Sequence, residues 1–173
     1  MKDKIFIVSL VFLITIQMKI LMVCLGNICR SPLAHGLLQK KVDDRGLDWY
    51  VDSAGTGAYH VGEGPDPRSV DVAAAHDLDI RYQKARQFIV DDFDEYDLIF
   101  AMDSSNYSNM MQLARNEEDQ QKIHLILNES YPGENRTVPD PYYGGDQGFK
   151  NVYDMLDEAT NKLLERLVRA KNN

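Results

Sequence analysis

The run Cys24-Leu25-Gly26-Asn27-Ile28-Cys29-Arg30-Ser31-Pro32, entered from the apolar stretch Ile20-Leu21-Met22-Val23, constrains this chain more than any other segment. A short apolar run, a glycine-containing turn and then a proline read as a buried strand, a tight loop and a helix. The strand delivers Cys24 to the carboxyl edge of a sheet, where open α/β folds bind their ligands. Gly26 lets the backbone turn inward, so that the N–H groups of Leu25, Gly26, Asn27, Ile28 and Cys29 can form an anion-binding nest. Pro32 suits the first turn of a helix, and that helix aims its positive end at the same anion. Arg30 adds a planar fork for two phosphate oxygens, and the positive field favours the thiolate of Cys24, the nucleophilic form. One loop therefore combines a nucleophile with a phosphate cradle. A lone cysteine is more often a small core residue. That reading leaves unexplained why Cys, five intervening residues, Arg and Ser coincide with a strand-loop-helix setting. A nucleotide-type loop, which ends in Gly-Lys-Ser/Thr, does not occur in the chain.

Strands and helices alternate from Met18 onward, which predicts an α/β fold with a four-stranded parallel sheet covered by helices on both faces. The strands fall at Ile20–Val23, from Trp49 to Val51, from Tyr96 to Ala101 and from Ile123 to Leu127. Helices are expected from about Pro32 to Lys41, Pro67 to Ala75 and Ser104 to Arg115, the last capped by Asp103 or Ser104. A final helix from about Phe149 to Arg169 places Val152, Met155, Leu156, Ala159, Leu163 and Leu167 at core-facing spacing. One domain suits 173 residues, and the two cysteines provide neither a disulfide framework nor a zinc site. The formal charge of −8 argues against a nucleic-acid partner, although a local field can still attract an anionic substrate. His35, His60, His76 and His124 are too scattered for a metal-ligand pair and read as surface or structural residues.

The stretch from Asn128 to Gly148 is rich in Pro, Gly, Asn and Tyr and has no period, which marks a functional or disordered loop. Within it Asp140 lies between Pro139 and Pro141, which restrict its backbone. Phosphoryl transfer to a nucleophile goes faster when an acid protonates the departing oxygen, and Asp140 is the obvious donor. Asp-Pro alone also fits an ordinary turn aspartate. Tyr142 and Tyr143 fit either packing or the wall of a pocket for an aromatic substrate.

The loop resembles the signature of the low-molecular-weight protein tyrosine phosphatases, and so do further segments in order. These are Asp52-Ser53-Ala54-Gly55-Thr56, Gly64-Pro65-Asp66-Pro67-Arg68, Lys84-Ala85-Arg86, Ala101-Met102-Asp103 and Asp140-Pro141-Tyr142-Tyr143-Gly144. The resemblance implies a phosphatase I-like three-layer sandwich over residues 18–173 and a cytoplasmic enzyme that uses no metal or cofactor. Its substrates would be phosphotyrosine proteins, hydrolysed through a cysteinyl-phosphate intermediate. It makes Cys24 the nucleophile, Arg30 the phosphate clamp and Asp140 the general acid. Asn27 and Ser53 would hold the loop's shape, Ser31 would stabilise the thiolate, and Tyr59 and Tyr142 would wall the pocket. Two positions depart from the family pattern. Gln83 stands where His is frequent, and His35 stands where Glu is usual.

Three rival functions share this loop. Arsenate reduction on the same fold needs further cysteines that this chain lacks. Phosphoarginine hydrolysis goes with Thr at the loop's fourth internal position, where Ile28 stands, and an apolar Ile28 suits a flat ring better than a guanidinium. A phosphate-binding module without catalysis would have no need of Cys24, Arg30 and Asp140 together. Cys29 is a redox candidate that would capture oxidised Cys24 as a disulfide, or it packs beneath the loop. At the N-terminus, Met1-Lys2-Asp3-Lys4 precedes an apolar run from Ile5 to Ile16. Residues 1–17 form an extension that resembles the charged start and apolar middle of a signal peptide. It has no small-residue cleavage site and is shorter than the roughly 20 residues of a membrane span. An over-extended start or a non-native leader fits this better than export, and membrane attachment follows only if the segment is a genuine anchor.

Overall fold

The computed structural model describes residues 17–171. The N-terminal extension expected as a leader or anchor therefore lies, apart from Gln17, outside the described residues. Four strands, β1 (Lys19–Cys24), β2 (Tyr50–Gly55), β3 (Leu98–Ala101) and β4 (Ile123–Leu125), form one sheet in the order β2-β1-β3-β4, every pair parallel. The α/β fold with a four-stranded parallel sheet is as expected. The helices are α1 (Arg30–Asp44), α2 (Pro67–Ala74), α3 (Asp92–Glu95), α4 (Ser104–Leu113), α5 (Glu117–Gln121) and α6 (Gly145–Lys171). Among the described residues no helix is long and apolar enough to cross a membrane.

Strand β1 is buried on both faces, and its side chains divide by the two-residue strand period. Ile20, Met22 and Cys24 pack with residues of α1, α2 and α6, whereas Leu21 and Val23 pack with Phe93 and Met110 on the opposite face. The chain goes from β1 to β2 on one side and later returns to place β3 on the other. Connections thus diverge at the carboxyl end of β1, which is where such sheets open a ligand crevice. Cys24 is the last residue of that strand.

Several boundaries differ from expectation for identifiable reasons. Helix α1 begins at Arg30, because a proline is tolerated anywhere in a first turn and Pro32 does not mark its start. Strand β4 stops at Leu125, since its neighbour β3 ends at Ala101, opposite Leu125, and offers no further partner. Ile126–Asn128 then form a 3₁₀ turn whose Ile126 and Leu127 remain buried. Tyr96 lies outside β3, following the short α3, and α3 and α5 were too brief to show a helical period. Helix α6 starts at Gly145 rather than Phe149, within a segment whose glycines read as loop. Met155, expected in the core, is 37% exposed, while Phe149, Tyr153 and Leu164 are buried. The apolar stripe of α6 is therefore rotated to the Tyr153 and Leu164 side, leaving Met155 just past its opposite edge.

That rotation has a measurable consequence. Leu156→Ala should cost about 2–5 kcal/mol of unfolding free energy. Met155→Ala should stay within about 0.5 kcal/mol. Denaturant unfolding of the two variants checks this, and equal losses would put the stripe back where the sequence pattern placed it.

Candidate active site

The loop between β1 and α1 owes its shape to Asn27, whose φ of 57° is in the left-handed region. Asparagine tolerates that region better than most side chains. Here its amide is also fully used. Its Nδ2 donates to Ser31 Oγ and Ser53 Oγ, both at 2.9 Å, and its Oδ1 accepts from Arg86 N at 3.0 Å. The expectation that Gly26 supplies the inward turn needs correcting, because the positive φ is at Asn27. At Gly26 the crowding is mild: a Cβ there would stand 3.0 Å from Cδ2 of the part-exposed His60 side chain. Gly55, to which sequence reasoning gave no role, is tighter still. A Cβ on it would lie 2.6 Å from Leu25 O and 3.1 Å from Asn27 N, so the loop can rest on β2 only over a glycine.

This frame holds Cys24 Sγ beside Ser31 Oγ at 3.1 Å, and Asn27 N donates to the sulfur at 3.3 Å. Cys24 is only 2% exposed, and its sulfur forms the floor of a cleft. That cleft, of about 330 Å³, is lined by Cys24, Leu25, Gly26, Ile28, Cys29 and Arg30 below, and by Tyr59, His60, Asp140, Tyr142 and Tyr143 around its mouth. Tyr59 and Tyr142 are exposed and Tyr143 is 91% exposed, which excludes core packing for all three. His60 was not anticipated as a lining residue. The Leu25 N–H, expected among the cradle's donors, faces Asn106 Oδ1 at 3.3 Å once that amide is oriented with its NH₂ toward Asp103.

Arg30 is 4% exposed and held from both sides. Its Nη1 donates to Asp103 Oδ2 at 2.6 Å and to Val138 O at 3.1 Å, while Nη2 stands 3.8 Å from Asp140 Oδ2. The sequence reading gave Asp103 only a capping role. It does cap α4, accepting from Asn106 N at 2.8 Å, and its second oxygen orients the buried guanidinium. The available signal was its position just past the carboxyl end of β3, on the sheet edge where ligands bind. Asp140 is about half exposed, and its Oδ1 accepts from Tyr142 N at 3.0 Å. Cys29 is buried, and burial first and Asp66 second push its thiol up to about 12, so it stays protonated at neutral pH.

The two departures from the family pattern meet at Ser53. Its Oγ lies 3.3 Å from His35 Nδ1 and donates to Gln83 Oε1 at 3.4 Å, while Gln83 Nε2 donates to Pro32 O at 3.0 Å. An amide and an imidazole thus complete the support beneath Asn27. Burial pulls His35 down to about 4, so the imidazole is neutral at physiological pH. Between pH 6.5 and about 4 the unfolded chain binds a proton at this histidine that the folded chain refuses. The His35 contribution to stability is therefore complete above pH 6.5 and declines as the pH falls toward 4. His35→Gln should unfold with a shallower loss of stability across that window than the wild type, measured by urea titration at each pH. Parallel curves for the two proteins would show that His35 does not titrate in this way.

Comparison with known proteins agrees with this geometry. The family model described as low molecular weight phosphotyrosine protein phosphatase matches residues 19–173. A low molecular weight phosphotyrosine protein phosphatase of Schizosaccharomyces pombe is 38% identical over 156 residues, covering 88% of this chain and 99% of its own. A crystal structure of a protein tyrosine phosphatase from Entamoeba histolytica, with Hepes in its active site, superposes with a TM-score of 0.83 at 38% identity. It covers 90% of this chain and 99% of that one. The structure of a Drosophila arginine phosphatase superposes with a TM-score of 0.81 at 35% identity, covering 87% and 98% of the two chains. With the family model spanning everything from β1 to the C-terminus and the loop, clamp and Asp-Pro-Tyr-Tyr segment brought to one cleft, the chain belongs to the low molecular weight phosphotyrosine protein phosphatase family.

Proposed function

We propose that this protein hydrolyses phosphotyrosine in proteins through a cysteinyl-phosphate intermediate. The observation that carries the reading is the convergence of Cys24, Arg30 and Asp140 on one cleft whose mouth is aromatic. The Cys24 sulfur attacks phosphorus while the tyrosyl P–O bond breaks, and Asp140 gives its proton to the departing phenolic oxygen. In the second step water attacks phosphorus, the S–P bond breaks and the water's proton returns to the Asp140 carboxylate. Ser31 Oγ and the Asn27 N–H steady the sulfur as the thiolate that enters and leaves this cycle. Arg30, with one terminal nitrogen already committed to Asp103 and Val138 O, presents the rest of its fork to the phosphoryl oxygens without having to reorient. Tyr59 and Tyr142 flank the substrate ring.

A second reading, phosphoarginine hydrolysis, draws support from the likeness to the Drosophila arginine phosphatase. Ile28 on the cleft wall weighs against it, since it offers a guanidinium no hydrogen-bond acceptor. Turnover of matched phosphotyrosine and phosphoarginine peptides separates the two, and a preference for phosphoarginine would overturn the first. Cys24→Ser should abolish turnover, and Arg30→Lys should lose most of it because an ammonium cannot make the bidentate contact. In Asp140→Asn, kcat/KM should fall by roughly 10²–10⁴ for poor leaving groups and far less for dinitrophenyl phosphate. A uniform loss across aryl phosphates would remove Asp140 from the acid role.

Cys29 shares the cleft wall, and condensation of its thiol with a Cys24 sulfenic acid would release water and form a disulfide. Better recovery of wild type than of Cys29→Ser, after peroxide and then reductant, would mark a resolving thiol. Equal recovery would mark a packing residue.

A further inference from the structure

Residues 139–144 carry Asp140 across the mouth of the cleft with few attachments of their own. Two hydrogen bonds are internal, Tyr142 N to Asp140 Oδ1 at 3.0 Å and Gly144 N to Pro141 O at 3.0 Å. Apart from the helix that follows, the hydrogen bond that reaches this segment from elsewhere among the described residues comes from Arg68, whose Nη1 donates to Tyr142 O at 2.9 Å. The guanidinium lies 5.1 Å from the Tyr142 ring centre and 4.5 Å from that of Phe149, in the first turns of α6. It is itself fixed by Asp66, whose two oxygens accept from Nε at 3.0 Å and Nη2 at 2.9 Å. Asp66 is 9% exposed and caps α2 through Arg68 N.

The other end of this assembly rests on the phosphate loop. Asp66 N donates to Ile28 O at 2.8 Å, and Ser69 Oγ donates to Cys29 O at 3.2 Å. A continuous path therefore runs from the loop beneath the phosphate, through Asp66 and Arg68, to the carbonyl of Tyr142. From the amide of that same residue it passes to the Asp140 carboxylate. Planar guanidinium groups suit this position: one edge meets a carboxylate, another donor meets a carbonyl, and the faces meet aromatic rings.

We infer that Arg68 is a positioning residue for acid catalysis, setting the distance between Asp140 and the phosphoryl group by tying the acid's loop to the phosphate loop. The inference rests on the reading of Asp140 as the general acid. Arg68 touches no reacting atom, so its removal should leave the phosphate site intact and displace only the proton donor. A displacement of that kind costs rate in proportion to how much the leaving group needs the proton.

The test compares wild type, Arg68→Ala, Arg68→Lys, Asp140→Asn and the double variant over aryl phosphates of graded leaving-group basicity. In Arg68→Ala, kcat/KM should fall roughly ten- to a hundredfold for phenyl phosphate and little for dinitrophenyl phosphate. Inhibition by inorganic phosphate should remain as in wild type, and Arg68→Lys should show a smaller loss with the same dependence. Because Arg68 acts through Asp140, adding Arg68→Ala to Asp140→Asn should change nothing further. A uniform loss across the series, weakened phosphate inhibition, or losses that multiply in the double variant would each overturn the positioning role. A flat series for Asp140→Asn alone fails the acid assignment itself, whereas a steep one beside a flat Arg68→Ala series fails only the inference about Arg68. Should Arg68→Ala not fold, the Arg68→Lys series decides by the same criteria.

Discussion

The three hydrogen bonds of the Asn27 side chain are the constraint on which the site depends. The loop brings the Asn27 amide to the Cys24 sulfur with Asn27 in the left-handed region, and such a residue is stable only when its surroundings over-determine it. Ser31, Ser53 and the backbone of Arg86 do this from three directions. Each of these partners is anchored in turn. Ser31 belongs to α1 and Ser53 to β2, where Gln83 and His35 contact it. Arg86 is pinned by Asp52, Asp92 and the hydroxyl of Tyr96. A short loop is thereby tied to the sheet edge, to α1 and to the long connection after α2, which is how a strained backbone is held in one shape.

Much of this could be read from residues alone, for reasons that differ by element. The β1-loop-α1 unit is local: its strand period, turn residues and helix start lie within a few positions of one another, and the cysteine, arginine and serine fall into place with them. The α/β architecture likewise follows from alternating periods. What escaped was set by contacts between distant segments. Asp103 looked like a cap because capping is a local pattern, whereas its grip on Arg30 spans 73 positions. Gly55 could not be recognised as indispensable until Leu25 was seen lying across it. The rotation of the α6 stripe depends on which helices it meets, and the early end of β4 depends on where β3 stops.

Asp103 and Asp140 illustrate how two carboxylates near one arginine take different parts. Asp103 is the closer, at 2.6 Å, and it is less than a quarter exposed, so it serves as a fixed counter-charge to a buried guanidinium. Asp140, at 3.8 Å and about half exposed, sits on a loop that faces the cleft, where it can meet a substrate and exchange a proton with water. Their exposure and distance suit Asp103 to a structural part and Asp140 to the acid role proposed for it.

The alternation along β1 has one more consequence. Cys24 is in phase with Ile20 and Met22, which makes the proposed nucleophile the terminal member of a core stripe that emerges only because the strand ends there. Its side chain has already surrendered its rotational freedom to packing, so in the proposed reaction the sulfur would have little entropy left to lose. The same continuity binds reactivity to the interior. A volume change at Met22 or in the α1 and α6 side chains around it would be transmitted along a dense, poorly compressible row to the sulfur itself.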